Sequence, residues 1–178
     1  MSELFKENDA VFRIRNDIVT LSSVEINFLH KNVNNTSKNR NRICTHHDNS
    51  SDIHEMHICL GKNTYIRPAK HLNKTESLSV ISGSALLYFF HEDGKIRDII
   101  KLGEYTSGHT FFYRMNLDIY HTLIVLSDYF IFHEVTKGPL NIEDTIMSEW
   151  SPDEEDQTSI DKFLINLENS KIDQYVSY

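Results

Sequence analysis

The central part of the sequence is a series of short segments, separated by turn residues, in which apolar and polar residues alternate. One turn, at residues 92–94, reads Glu-Asp-Gly and predicts a β-hairpin, because glycine tolerates a positive φ. The predicted strands are 54–60, 64–71, 77–82, 84–91, 95–102, 110–115, 121–127 and 129–135. A run of short strands with no helix between them is typical of an antiparallel sandwich or barrel. The sequence therefore predicts a mainly β fold.

The segments on either side of this series have a different pattern. Residues 10–15 alternate as a strand does, residues 22–35 have helical spacing after a capping serine, and residues 34–42 form a polar loop. Near the other end, residues 159–169 predict one amphipathic helix. Its apolar face consists of Ile160, Phe163, Leu164 and Leu167.

These patterns divide the chain into three parts. Residues 1–42 are expected to pack on the barrel as a strand, a helix and a polar loop. Residues 43–150 form the barrel itself, and residues 151–178 form an acidic tail with the C-terminal helix.

Composition excludes several classes of partner. The net charge of −8 gives the chain no general attraction for nucleic acid or anionic membranes. The longest apolar run, at residues 85–90, is too short to span a bilayer, and the N-terminal residues lack the apolar core of a signal peptide. The two cysteines form neither a CxxC pair nor a disulfide framework. We therefore expect a cytoplasmic protein.

One histidine and one glutamate, His71 and Glu76, are spaced so that a strand and a tight turn would bring them to one face. His121 opens another predicted strand. Two imidazoles and a carboxylate are a suitable ligand set for a divalent transition metal, and such a set leaves coordination positions open. The chain has ten histidines, so the same residues are also explained as half-exposed polar residues at sheet edges.

The spacing His71-x4-Glu76-x6-Gly83, followed later by Tyr120-His121-Thr122, resembles the two motifs of the cupin superfamily. More narrowly, the chain resembles the WbuC family of cupin-fold metalloproteins. The matching segments are RICTHH (42–47), HEM (54–56), TYIRPAKHLNKTES (64–77), FHEDGKI (90–96), FYRMNLDIYHTLI (112–124), FHEVTKGPL (132–140) and EWSP (149–152).

This resemblance implies a cupin jelly-roll barrel that holds a metal in its mouth, and the patterns described above add an N-terminal and a C-terminal helix. His71, Glu76 and His121 take the ligand positions, and the cofactor is a divalent transition metal: Zn, Fe, Mn or Ni. The family is associated with the synthesis of O-antigen and related surface polysaccharides. This association suggests a sugar-like or nucleotide-linked sugar ligand. Our leading hypothesis for the reaction is isomerisation or epimerisation. A homodimer is expected, both from the resemblance and because an open barrel has strand edges to cover.

The chain departs from the family at Ala69, because members usually read Pro-His-x-His where this chain reads Pro68-Ala69-Lys70-His71. The site then has at most three ligands, and its metal affinity should be lower. Two alternatives therefore stay open. One is a non-catalytic, ligand-binding cupin with a degraded metal site, and the other is an Fe(II)-dependent oxygenase that uses the same triad.

Further residues are expected to serve the site. Tyr65 and Arg67 share parity with His71 and are expected to line the same cavity as substrate-binding residues, although Arg67 could equally cover apolar surface with its stem. Lys74 is a candidate ligand for an anionic group, or an ordinary turn lysine. Glu134, in a family-like motif, is the candidate general acid or base, or a buried polar residue that ties the last strand to the following turn.

Overall fold

Two β-sheets form the centre of the structure, a computed structural model that describes residues 3–178. The strands are β1 (Phe5–Lys6), β2 (Val11–Arg13), β3 (Arg40–Cys44), β4 (Ile53–Gly61), β5 (Ala69–His71), β6 (Glu76–Ser82), β7 (Ser84–Phe90), β8 (Ile96–Gly103), β9 (Phe112–Met115), β10 (Tyr120–Val125), β11 (Tyr129–Lys137) and β12 (Thr145–Met147). The helices are α1 (Ser23–Asn32) and α2 (Gln157–Glu168).

The strand order defines the topology. The large sheet has the order β1-β2-β3-β4-β11-β6-β9, and the small sheet has the order β12-β5-β10-β7-β8. All pairs except β2–β3 are antiparallel, and from β4 to β11 the chain changes sheet at every step but one. This alternation is the double-sheet arrangement of a jelly roll. The predicted mainly β jelly roll with a helix near each end is therefore confirmed.

The core between the sheets follows from the alternation of side chains along each strand. Leu78 and Phe132 from the large sheet meet Leu87 and Leu123 from the small sheet, and all four are almost fully buried. Residues of the same parity on these strands therefore face the interior of the barrel, and this rule identifies the side chains at its mouth.

Helix α1 covers the outer face of the large sheet. It begins at a capping box in which Ser22 caps the helix and the Glu25 carboxylate accepts a 2.7 Å hydrogen bond from the backbone N–H of Ser22. Leu29 is fully buried and packs with Ile43, Cys59 and other apolar residues of this face.

Helix α2 covers the outer face of the small sheet. Its residues Ile160, Phe163 and Leu167 are buried, so most of the predicted apolar face is confirmed. The Tyr88 hydroxyl donates a 2.9 Å hydrogen bond to the carbonyl of Leu167, which joins the sheet to the end of this helix.

Two local predictions were wrong. Residues 64–68 are not part of a strand, so only 69–71 of the predicted strand 64–71 forms one. The Thr64 hydroxyl oxygen lies 2.7 Å from the carbonyl oxygens of both Gly61 and Asn39, which share its one proton and hold this residue in a turn after β4. In the predicted polar loop, β3 already begins at Arg40, so the boundary proposed at residue 42 falls inside a strand.

No helix within residues 3–178 has the length and apolar character needed to cross a membrane.

Candidate metal site

The three predicted ligands come together at one end of the barrel. His71 ends β5, Glu76 begins β6 and His121 is the second residue of β10. One possible ligand atom from each lies within 4.8 Å of the others. Glu76 is only 5% exposed, so its carboxylate needs a positive partner inside the protein. Its Oε1 atom lies 3.2 Å from Nε2 of His121.

Hydrogen bonds orient both imidazoles. Nδ1 of His121 lies 3.0 Å from the carbonyl oxygen of Ile119, and only a protonated Nδ1 can donate to this acceptor. Nδ1 of His71 lies 3.0 Å from the hydroxyl oxygen of Thr145. With both Nδ1 atoms engaged, the Nε2 atoms are left to bind a metal, as is usual for histidine ligands.

Tyr113, on β9, supports the carboxylate. Its hydroxyl donates a 3.1 Å hydrogen bond to Oε1 of Glu76. Sequence reasoning missed this residue, because its contact with Glu76 depends on the pairing of β9 with β6. Strand alternation could have indicated it. Met115 is paired with Glu76, and Tyr113, two residues before Met115, lies on the same face of the sheet.

Opposing effects determine the charge of this cluster. Burial raises the pKa of Glu76. The charges of His121 and His71, with hydrogen bonds from His121 and Tyr113, lower it by more, so the pKa of Glu76 lies below its ordinary value. Burial also lowers the pKa of His71, and the charge of His121 adds to this effect. For His121, burial lowers the pKa, but Glu76 and the Ile119 carbonyl raise it above the ordinary value. A metal ion would replace the proton that His121 and Glu76 share.

The donor set therefore fits a divalent transition metal. An ionised carboxylate, a neutral imidazole and a second imidazole with a protonated Nδ1 lie close together at one end of the barrel. The fourth position expected from the family resemblance lies beside them, since Ala69 is paired directly with His121 across β5 and β10. Its methyl group offers no ligand.

Glu134 also faces the interior. It lies on β11, two residues after the core residue Phe132, and pairs with Leu78 on β6 and Met56 on β4. Burial and the negative charge of Glu76 raise the pKa of Glu134 to about 7. A carboxyl group with this pKa can both accept and donate a proton near neutral pH.

Lys74 lies in the turn between β5 and β6, half-buried. Its positive charge contributes to lowering the pKa of His71 and opposes the rise in the pKa of Glu134. It forms no salt bridge or side-chain hydrogen bond with any residue in the range 3–178. Its predicted role as a substrate-binding residue stays a prediction, and this position is compatible with it.

Tyr65 and Arg67 lie elsewhere. The Tyr65 ring packs 6.0 Å from Phe163 of α2, and its hydroxyl donates to the carbonyl of Pro152. Arg67 donates to Asp153 and to the carbonyl of Ser148. The expectation that these two side chains line the cavity with His71 is wrong, because the strand parity on which it rested does not extend through residues 64–68. Both residues attach the C-terminal segment to the small sheet.

A family model described as a domain of unknown function, DUF6016, matches residues 21–102, which is less than half of the chain. No curated protein matched the sequence.

Similar solved structures share little sequence with this chain. Protein SO0799 from Shewanella oneidensis aligns with 10% identity and a TM-score of 0.48, covering 60% of this chain and 68% of that one. A variant of Bacillus subtilis oxalate decarboxylase aligns with 18% identity and a TM-score of 0.47, covering 61% and 27%. Procruciferin, the 11S globulin of Brassica napus, aligns with 13% identity and a TM-score of 0.42, covering 53% and 22%.

The decarboxylase and the globulin are cupin-fold proteins, and this chain spans about a quarter of the length of each. All three TM-scores are below 0.5, so the fold assignment rests on the strand order of this chain itself.

Proposed function

We propose that this protein is a metal-binding cupin of the WbuC type that acts on a sugar or a nucleotide-linked sugar in the synthesis of surface polysaccharides. The observation that carries the proposal is the convergence of His71, Glu76 and His121 at the mouth of the barrel, with Glu134 on the same interior surface. A divalent metal held by the three ligands would supply a Lewis acid toward a substrate oxygen.

The reaction type that fits these residues is isomerisation or epimerisation. Glu134 would remove a proton from a carbon next to a carbonyl group and return it to the same or a neighbouring carbon, so its pKa near neutrality suits both steps. Tyr113 would hold the Glu76 carboxylate in place, and Lys74 would contact an anionic part of the substrate.

Solvent-exchange NMR tests this chemistry. Nucleotide-linked sugars that carry a keto group on the sugar ring would be incubated with metal-loaded protein in D₂O, and deuterium incorporation at the neighbouring carbon would be followed by proton NMR. We expect incorporation with the wild type and its loss in Glu134→Gln and in His71→Ala. Exchange that survives in His71→Ala would exclude a metal-dependent reaction. Oxygen consumption with Fe(II) would instead indicate the oxygenase alternative.

Ala69 favours a second candidate function, a barrel that binds a ligand without turning it over. A methyl group stands where the family resemblance places a fourth ligand. If nucleotide sugars bind to the protein but exchange no proton and consume no oxygen, this second function is correct.

The proposal includes a homodimer in the cytoplasm. Strand β12 is an edge strand of the small sheet, and its residues Ile146 and Met147 are 36% and 47% exposed, which is the kind of edge that a second subunit covers. Cys44 and Cys59 are both free, as expected in a reducing compartment. Light scattering after size-exclusion chromatography tests the dimer, and a mass of 20.8 kDa would show a monomer.

A further inference from the structure

A cavity of about 720 Å³ lies on the outer face of the large sheet. Glu55 and His57 of β4 and His133 of β11 form its floor, and they share the parity of the outer-face residue Cys59. The metal cluster is on the other, interior side of this sheet. A cavity of this size fits an organic ligand, because small-molecule sites in proteins measure about 300–1,000 Å³.

The wall of the cavity is the segment that joins β2 to α1. Ile14 holds one end of this segment, since its backbone N–H donates a 3.0 Å hydrogen bond to the carbonyl of Cys44. The capping box of α1 holds the other end. Val19 and Leu21 line the cavity, are half-buried, and pack against the apolar cluster that α1 covers. The cavity therefore has an apolar side that is anchored to the sheet.

The imidazole of His57 can accept a hydrogen bond from a ligand. Its ring stacks against His133 on the paired strand, and its Nδ1 atom is buried and makes no hydrogen bond with any residue in the range 3–178. Burial lowers the pKa of His57 to about 4, so the ring is neutral at pH 7 and carries one nitrogen with a free lone pair.

The fixed charges around the cavity are negative. Among the described residues that line it, none is a lysine or an arginine. Asp17 is exposed and has no salt bridge within residues 3–178, and Glu55 reaches only a neighbouring imidazole, at 3.7 Å. Arg13 and Arg15, beside the adjacent cavity, both form salt bridges with Glu7. Two carboxylates thus border the cavity in a protein whose net charge, −8, already attracts cations.

We propose that this cavity binds an organic cation, a compound with an ammonium group and an apolar body. The ammonium group would interact with the carboxylates of Asp17 and Glu55 and donate to His57, while the apolar body would pack against Val19 and Leu21. A metal ion does not fit, because the one cluster of suitably close metal-ligating atoms in the range 3–178 is that of the barrel mouth. The inference is independent of the proposed function, since the two sites lie on opposite faces of the large sheet.

The experiment uses tryptamine as the probe, because it joins a primary ammonium group to an indole ring. Tryptophol is its neutral counterpart, with a hydroxyl group in place of the ammonium group. Both would be titrated into the metal-free full chain at low ionic strength, and binding would be followed by backbone amide NMR, which also locates the site and shows that each variant is folded. The variants are Asp17→Asn, Glu55→Gln and the two combined. The matched control is Glu143→Gln, which removes one exposed carboxylate from the turn before β12.

We expect tryptamine to shift the amide resonances of Val19 and Leu21 and to bind about tenfold more tightly than tryptophol, with an affinity that falls as salt is added. Each single variant should weaken tryptamine binding about threefold, and the combined variant about tenfold, because an exposed charge contributes little by itself and separate sites add. The Glu143→Gln protein should bind tryptamine as the wild type does.

The proposal is overturned if tryptamine does not bind, if tryptophol binds equally well, or if Glu143→Gln weakens binding as much as Glu55→Gln does. Shift changes confined to the barrel mouth around His121 would also overturn it, because they would show the cation at the metal cluster instead of the outer face.

Discussion

Ala69 lies directly opposite His121 on neighbouring strands of the small sheet, so a methyl group stands beside a metal-binding imidazole. Paired Cβ atoms in such a register are about 5 Å apart, and both side chains point toward the mouth of the barrel. A ligand introduced at position 69 would therefore join the existing cluster without any change in the backbone.

We predict that Ala69→His strengthens metal binding by at least about tenfold, since a fourth imidazole adds a strong donor to the three ligands already present. Zinc titration by calorimetry against a competing chelator would measure the change. Ala69→Gln is the matched control, because it adds similar bulk with a much weaker ligand. Equal affinities of the histidine and glutamine variants would show that position 69 does not face the metal.

The Tyr113 hydroxyl provides a second prediction. Tyr113→Phe should lower zinc affinity about 10- to 100-fold, the usual cost of removing a hydrogen bond to a metal ligand. Tyr88→Phe is the control, since its hydroxyl bonds to Leu167 on the opposite face of the small sheet. The control should lose some stability and keep its zinc affinity. If both variants bind zinc as the wild type does, Tyr113 does not support the site.

Some of this site was predictable from the sequence and some was not. His71 and Glu76 are close in the chain, so alternation and a turn suffice to bring them together, and the family resemblance added His121. Tyr113 could not be found in this way, because its position depends on strand register between distant segments.

Two elements show why sequence patterns failed locally. Strand β3 reads RNRIC, and a sequence so rich in polar residues does not predict a strand. Asn41 is nevertheless buried there, because its side chain donates a hydrogen bond to the carbonyl of Leu29 in α1. Tyr65 and Arg67 were misplaced for the opposite reason, since alternation continued in the sequence after the backbone had left the sheet.

A buried histidine predicts acid sensitivity. His57 stacks against His133 on the outer face of the large sheet, with ring centroids 4.6 Å apart. Burial, with a smaller contribution from the charge of His133, lowers the pKa of His57 from 6.5 to about 4. The unfolded chain then binds more protons than the folded one between these values, so stability is lost as pH falls from 6.5 toward 4, by up to about 3 kcal/mol.

Urea unfolding of the wild type and of His57→Phe at pH 7.5 and pH 4.5 checks this. The variant should lose less stability between the two pH values than the wild type does. His91→Gln, which changes an exposed histidine, should follow the wild type. An identical pH dependence in His57→Phe and the wild type would refute the assignment.

Glu134 should have the opposite effect to His57, because it should lower the stability of the fold as the pH rises. Its folded pKa, about 7, lies above the ordinary 4.5, so ionisation destabilises the fold increasingly as pH rises from 4.5 to 7. We predict that Glu134→Gln, in metal-free protein, is more stable than the wild type by about 2 kcal/mol at pH 8 and nearly equal to it at pH 5. Thermal unfolding at both pH values measures the difference, and a variant less stable at pH 8 would contradict the prediction.

Metal content tests the central claim most directly. Wild type, His71→Ala, Glu76→Gln and Ala69→His would be purified without added chelator, and bound metals would be quantified by inductively coupled plasma mass spectrometry. The account predicts about one transition-metal ion per chain in the wild type and in Ala69→His, with little in the two ligand variants. A wild type that is empty while Ala69→His is filled would show a disabled site, and metal retained equally by His71→Ala and Glu76→Gln would show that the ligands have been wrongly assigned.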